Sequence, residues 1–206
     1  MEFIFDIETS GLPKFSNDSK RIKNTNGLAR TPSRFPSPDN FEAYNNSRIV
    51  SICWILIDKI TKDIVQQEYY IIQPNGFVIP QEVINIHGLT NEFVNRCGIP
   101  INDMLERMYN AIKKVDTIVA YNIEFDYNII KSELMRSLLD YIVIELDIKT
   151  QKCAMQMSQK HMKLNRFPKL ADAHLSILGK PIVDAHNSIG DTISCLEIYK
   201  AILNLI

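Results

Sequence analysis

The chain predicts an α/β domain, a mixed five-stranded sheet flanked by helices, on three observations. Apolar, β-branched runs open it (FIFDI, RIVSICWILID and IVQQEYYIIQP), helical periodicity takes over after Pro80, and from TIVAYN onward strand and helix signals alternate. Its 206 residues, 46% hydrophobic, suit one domain spanning 1–206 that can bury a core and still carry an open site.

Each element follows from its local pattern. Phe3 to Ile7 reads as a strand, and the next two runs, joined by the polar KITKD turn, complete a three-stranded antiparallel meander. QEVINIHGLT is helical, Thr90-Asn91 starts another helix over EFVNRCG, and INDMLERMYNAIKKV repeats apolar residues every three or four positions. TIVAYN reads as a short buried strand, EFDYNIIKSELMRSLL as an amphipathic helix and DYIVIELDI as a further strand. The remainder is helical: KLADAHLSILG stops at Gly179, a C-cap residue, and GDTISCLEIYKAILNLI carries an apolar stripe for the sheet. From about 14 to 47 the chain is polar, holds Pro32, Pro36 and Pro38 and lacks periodicity. It reads as an insertion, either a flap beside the site or plain disorder.

Charge and cysteines narrow the class. With 23 basic and 24 acidic residues the chain lacks the footprint of a sequence-independent duplex binder, although an enzyme gripping a strand end needs only a local basic rim. Cys53, Cys97, Cys153 and Cys195 form no CxxC pair and read as buried thiols of a reducing compartment. No basic leader and no membrane-length apolar run is visible, so an intracellular soluble protein of cytoplasm or nucleus is expected. Abundant isoleucine, asparagine and lysine is a composition that A/T-rich genes encode, those of some large DNA viruses among them.

Four acids and one histidine stand out. Asp6 and Glu8 end an apolar strand two positions apart, so both carboxylates project from one face, where two like charges call for a cation. A lone DxE is commonly a solvent face, but here it runs into Thr9-Ser10-Gly11, a turn of small residues whose N–H groups can approach a phosphate or sugar. Asp126, alone an ordinary first-turn acid, follows a buried strand where ligands of α/β sheets sit, with Asn122 and Phe125 beside it. His186 and Asp191 would lie roughly 140° apart on an ideal helix. The histidine is therefore expected on a loop before a helix that starts near Ser188 and fixes Asp191. An imidazole with an ordinary pKa of about 6.5 suits a general base, and rigid carboxylates suit Mg²⁺ or Mn²⁺. The constellation reads as a two-metal phosphodiester-cleaving site.

At these residues the chain resembles the DEDDh branch of 3′→5′ exonucleases, the group of the proofreading subunit of bacterial DNA polymerase III, the TREX enzymes and oligoribonuclease. FDIETSGLP resembles the first exonuclease motif, VAYNIEFD the second and HNSIGD the third, and their order extends over nearly the whole chain. VINIHGLT and KLADAHLSILG resemble further family segments. The resemblance implies an RNase H-like fold and two divalent ions, Mg²⁺ or Mn²⁺, about 3.5–4 Å apart. Asp6, Glu8 and Asp191 would hold the first, Asp6 would bridge to the second, Asp126 would hold the second, and His186 would be the base. Thr9, Ser10 and Gly11 would line the terminal nucleotide, Ile86 to Leu89 with His87 would contact its base or sugar, and Asn122 and Phe125 would complete substrate binding. Tyr121 stands where many relatives have histidine, Ile123-Glu124 replace smaller residues and Asn187 replaces a frequent arginine, which alters contacts to the strand without removing any of the core five.

Other singled-out residues carry blander expectations. His161, in the basic stretch QKHMKLNRFPK, belongs to a solvated face or a basic rim; His174 to the core or to support of the site; Asp147 resembles a structural family aspartate; Asp172 and Asp184 are surface acids; Trp54, Tyr69 and Tyr70 are core packing. The expected activity is hydrolysis of the terminal phosphodiester at the 3′ end of single-stranded or frayed DNA, releasing 5′-mononucleotides, as in proofreading or repair. The expected partners are single-stranded DNA or RNA 3′ ends and a DNA polymerase or replication and repair complex. Alternatives are an oligoribonuclease-like 3′→5′ exoribonuclease, a non-cleaving strand-end binding or scaffold module, and a small-nucleotide or cyclic-dinucleotide hydrolase.

Overall fold

Alternation along the first strand decides where everything else goes. In β1 (Glu2–Thr9), Phe3, Phe5 and Ile7 point to one face of the sheet and Ile4, Asp6 and Glu8 to the other. β2 (Ile49–Ile57) pairs antiparallel with β1, and β3 (Ile64–Ile71) antiparallel with β2. On the other side β4 (Thr117–Ala120) runs parallel to β1, and β5 (Thr150–Cys153) parallel to β4. The mixed five-stranded sheet therefore has the order β3-β2-β1-β4-β5, with the expected antiparallel meander as its first three strands. The computed structural model describes residues 1–15, 35–183 and 186–204.

Helices cover both faces. The first layer comprises α1 (Phe41–Tyr44), α4 (Ile101–Ile112), α5 (Ile123–Arg136) and α6 (Asp140–Asp147), whose Met104, Met108, Ile129, Leu134 and Ile142 pack on Phe3, Phe5, Trp54 and Ile118. The second comprises α7 (Ala154–His161), α8 (Leu170–Leu178) and α9 (Ser188–Asn204), whose Ala154, Ala173, Cys195 and Ile198 pack on Ile4, Ile55 and Val119. Two short helices, α2 (Gln81–His87) and α3 (Asn91–Cys97), follow β3, and Val94 of α3 meets Val50 and Ile79 in a third cluster. Thr90 caps α3 by accepting the Phe93 N–H, and α8 ends at Gly179 with φ of 72°, as the Thr-Asn and Gly signals predict. Trp54 is fully buried with its ring on Phe3 (5.8 Å) and against Tyr70 (5.2 Å), which is core packing.

Three expectations are corrected. DYIVIELDI is not a strand: Asp140–Asp147 is helix α6, and the fifth strand comes later, at Thr150–Cys153. The β-branched residues gave a strand signal, but the chain buries Ile142, Val143 and Leu146, a helical spacing that no alternating strand presents to one side. Asp147 accordingly ends a helix and pairs with Lys131 at 2.8 Å. The polar stretch at about 14–47 is structured from Phe35 onward: Ala43 and Tyr44 enter the core, and the Tyr44 hydroxyl donates to the Pro36 carbonyl at 2.7 Å. Its residues 16–34, with Pro32, lie outside the described residues, as does Asp184. Cys53, Cys153 and Cys195 are buried as expected, whereas Cys97, in the last turn of α3, is exposed. Among the described residues no helix is long and apolar enough to cross a membrane.

Candidate active site

Asp6 and Glu8 sit at the C-terminal end of β1, on the face that α9 covers, opposite Cys53 and Ser51 of β2 in the register. Those two partners also anchor α9. The Ser51 hydroxyl bonds the Ser188 hydroxyl at 3.1 Å, and Thr192 donates to the Cys53 carbonyl at 3.3 Å, so the first turn of α9 is pinned over both acids. Asp191 lies in that turn. Carboxylate oxygens of Asp6, Glu8 and Asp191 all fall within 4.8 Å of one another. Asp126, in the first turn of α5 and only 3% exposed, comes in from the neighbouring strand's end and lies against the Ile7 backbone.

The electrostatics are those of crowded, unneutralised acids. Burial first, then the charges of Asp126, Glu8 and Asp191, push the Asp6 carboxyl well above the usual range. Glu8 is pushed up to about 7 by burial and by Asp191. Burial also raises Asp126, helped by Glu8 and Asp191 and opposed by backbone N–H groups of its own residue and Ile7. Asp191 is raised by burial, with the adjacent His186 pulling the other way. One oxygen of Asp191, Oδ1, is buried without a hydrogen-bond partner. A buried, unpartnered oxygen on Asp191, in a cluster of three carboxylates with oxygens within 4.8 Å of one another, fits the all-oxygen donor set of a hard divalent cation.

His186 precedes α9 as expected, exposed and with φ of 63°. Asn187, next to it, accepts the Ile189 N–H on Oδ1 at 2.9 Å and so helps start the helix. The turn after Glu8 is braced from below. Ser10 Oγ donates to the Asn46 carbonyl (3.1 Å) and accepts the Arg48 N–H (3.0 Å), and the Ser10 N–H donates to the Arg48 carbonyl (2.8 Å). Thr9 Oγ1 donates to the Gly11 carbonyl at 2.8 Å. Both hydroxyls are thus engaged in shaping the turn. Gly11 has φ of 150°, and a Cβ there would stand 2.8 Å from the Asn46 carbonyl oxygen. His87 lies near the Thr9 backbone: its Nδ1 accepts the Leu89 N–H at 3.0 Å, Nε2 is buried and unpartnered, and burial lowers its pKa. Asn122 occupies the N-cap position of α5 without a side-chain capping bond, and Phe125 is half-buried beside Asp126. Tyr121 is buried and donates to the Pro168 carbonyl at 2.9 Å, on the α7–α8 side. His174 is buried as expected, held by Glu197 and the Lys180 carbonyl, whereas His161 and Asp172 are exposed.

Sequence reasoning missed the residues that hold the acids in place. Ser188 signals only a helix start, and Ser51 and Thr192 carry no motif. Nor do Arg48 and Glu133, a part-buried pair in which Arg48 Nε and Nη2 reach the two oxygens of the buried Glu133 at 2.5 and 3.0 Å. This pair ties the segment bracing the Ser10 turn to α5, which carries Asp126.

A sheet of this order, with Asp6 and Glu8 of β1 and Asp191 of α9 meeting at one end and Asp126 of α5 close enough to act on the Asp6 charge, defines an RNase H-like domain whose acidic cluster could hold a metal ion. Residues 3–199 match the profile of the RNase_T exonuclease family, and the chain belongs to that family, the DEDDh-type 3′→5′ exonucleases. The fold is similar to that of E. coli exonuclease I in complex with a dT13 oligonucleotide, with TM-score 0.70 and 14% identity over 97% of this chain and 40% of that one. It is similar also to a moderately thermophilic exonuclease I from Methylocaldum szegediense, with TM-score 0.71 and 14% identity over 98% and 40%. A full-length 3′-exonuclease matches with TM-score 0.60 and 14% identity over 98% and 60%. The chain thus spans about two fifths of the exonuclease I chains it matches. No curated protein sequence matches it.

Proposed function

We propose that this protein is a Mg²⁺- or Mn²⁺-dependent exonuclease that removes 5′-mononucleotides from the 3′ end of single-stranded or frayed DNA. The observation that carries this is the convergence of Asp6, Glu8 and Asp191 within 4.8 Å, with Asp126 buried alongside. Asp6, Glu8 and Asp191 would hold one ion, and Asp6 with Asp126 a second. Bound there, the cations would supply a nucleophilic water and neutralise charge at the departing 3′-oxygen.

The chain's own groups do the rest. The Thr9-Ser10-Gly11 turn offers backbone to the terminal nucleotide at a fixed distance from Glu8, because Ser10 is bonded to Asn46 and Arg48. His186 takes the proton of the attacking water on an imidazole nitrogen as the water oxygen bonds to phosphorus; the phosphorus–O3′ bond breaks, and the 3′-oxygen takes a proton from solvent and leaves as a hydroxyl. His87 and Asn122 border the same end of the sheet and bind the terminal sugar and base. DNA is the preferred substrate in this reading, and a polymerase or repair complex the setting that would present frayed ends.

The test uses matched 3′-labelled and 5′-labelled single-stranded DNA and RNA oligomers with Mg²⁺, Mn²⁺ or EDTA, beside Asp6→Ala. Mononucleotide release from the 3′ end, dependent on metal and lost in the variant, is expected, faster on DNA. A wild-type protein that leaves both polymers intact with metal present would overturn the reading.

A further inference from the structure

Phe15 and Phe35 stand on either side of residues 16–34 in the sequence, and the fold brings their rings together, 5.4 Å between centroids and tilted by 52°. Phe35 in turn lies 5.9 Å from Phe125, tilted by 59°. Phe125 directly precedes Asp126 in the first turn of α5. Three aromatic rings therefore form a row whose inner member, Phe125, is the sequence neighbour of one of the four acids. The row has a fixed base. Lys14 N–H donates to the Ala43 carbonyl and the Tyr44 hydroxyl to the Pro36 carbonyl, so both flanks are tied to α1. Arg136 of α5 holds α1 through the Phe41 carbonyl at 2.6 Å and Asn45 Oδ1 at 3.0 Å.

Phe15, the outermost ring of the row, is 50% exposed and so accessible to a ligand. We propose that the Phe15–Phe35–Phe125 row is a stacking platform for nucleobases of the single strand that lies 5′ of the terminal nucleotide. This rests on the exonuclease reading of the acidic site. Charge leaves room for such a device. A chain with 23 basic and 24 acidic residues, four of the acids at the reaction centre, has no broad basic field to hold a polyanion. Base–aromatic stacking supplies affinity without charge and without sequence preference, because every base has a π-face. The ligand class is thus unpaired nucleobases; paired bases, stacked within a duplex, would not fit.

The test places 2-aminopurine, whose fluorescence is quenched by stacking, at each of the last few positions of a single-stranded DNA oligomer. Quenching and anisotropy are read without divalent metal for wild type, Phe15→Ala, Phe15→Leu and Phe15→Tyr. Wild type and Phe15→Tyr should quench the probe at positions upstream of the 3′ end. Phe15→Ala and Phe15→Leu should lose that quenching and bind on the order of ten-fold more weakly. An abasic residue at the quenched position should weaken wild-type binding to the level of Phe15→Leu and leave Phe15→Leu no weaker. Wild-type quenching and affinity in Phe15→Leu, which keeps an apolar contact but has no ring, would overturn the platform and leave a simple clasp. Cleavage of the same oligomers with Mg²⁺ separates the two claims. Quenching without cleavage removes the exonuclease reading and keeps the platform; cleavage with Phe15→Leu indistinguishable from wild type does the reverse. Absence of both binding and cleavage in wild type overturns both.

Discussion

Glu8 is held near a pKa of about 7 against an ordinary 4.5, and the sign of that shift governs the metal-free protein. A carboxyl with a raised folded-state pKa binds its proton in the native state after the unfolded chain has released it. Stability of the metal-free protein should therefore fall as pH rises from about 4.5 through about 7, with Asp6, Asp126 and Asp191, all raised, adding to the loss. Thermal melts across this range in EDTA would show the decline. With Mg²⁺ added, the rise in melting temperature should be large at pH 8 and small at pH 5, where protons compete for the same oxygens. Asp6→Asn should raise the EDTA melting temperature at pH 8, erase most of the Mg²⁺ shift and lower exonuclease turnover by about a hundred-fold or more. Gly11→Ala meets the Asn46 carbonyl at a φ that side chains avoid. It should cost about 1–3 kcal/mol in chemical denaturation and reduce turnover through displacement of the turn beside Glu8.

Elements come into register through a few polar contacts, and Arg48–Glu133 ties the segment that braces the Ser10 turn to α5, which carries Asp126. Glu133, 2% exposed, accepts Arg48 in a bidentate bond and also the Ile49 N–H at 3.4 Å, two helical turns beyond Asp126 on α5. Removing one partner strands a buried charge, so Arg48→Met should cost about 3–5 kcal/mol, and the double variant Arg48→Met/Glu133→Leu less than that. Urea denaturation of the three variants checks the coupling. The double variant should also need more Mg²⁺ for half-maximal activity, because α5 loses its tether to the Ser10 turn. Here the sequence was uneven. Strand and cap signals placed β1, β2, β3, α3 and α9 correctly, since alternation, Thr90 and the Ser188 turn are local features. Helix α6 escaped because YIVI carries β-branched residues, and only packing against α4 and α5 selects the helical face.

Across the whole molecule the acid site occupies one end of the sheet, and a second charged cluster closes the other. Glu2, 1% exposed, accepts Lys62 of the β2–β3 turn at 2.6 Å, Lys152 of β5 at 3.0 Å and the Tyr199 hydroxyl of α9 at 2.8 Å. Burial would raise its pKa, but these three partners together lower it below 4.5. A lowered folded-state pKa contributes stability above the unfolded value, lost as pH falls through the folded value. The two ends of the sheet thus respond oppositely to pH: Glu2 favours folding above about 4.5, and the metal-free acid site opposes it as pH climbs to neutrality. Glu2→Gln should cost about 1–3 kcal/mol at pH 7, and this difference from wild type should shrink in acid, as measured by urea denaturation at several pH values.

The sequence alone marks out Asp6, Glu8, Asp126, His186 and Asp191 as candidates, through strand parity, turn residues and motif spacing, all properties of neighbouring residues. It likewise determined the antiparallel meander and the α/β class. Packing alone brings Asp6 and Asp191, far apart in the chain, within 4.8 Å of one another, with Ser51 and Thr192 pinning α9 there and Arg48–Glu133 tying α5 to the segment that braces the Ser10 turn. It alone set Phe15, Phe35 and Phe125 in a row. The physical reason is range: propensity and periodicity are fixed within a few residues, whereas a bond between β2 and α9 exists only after the sheet has closed and both faces are packed.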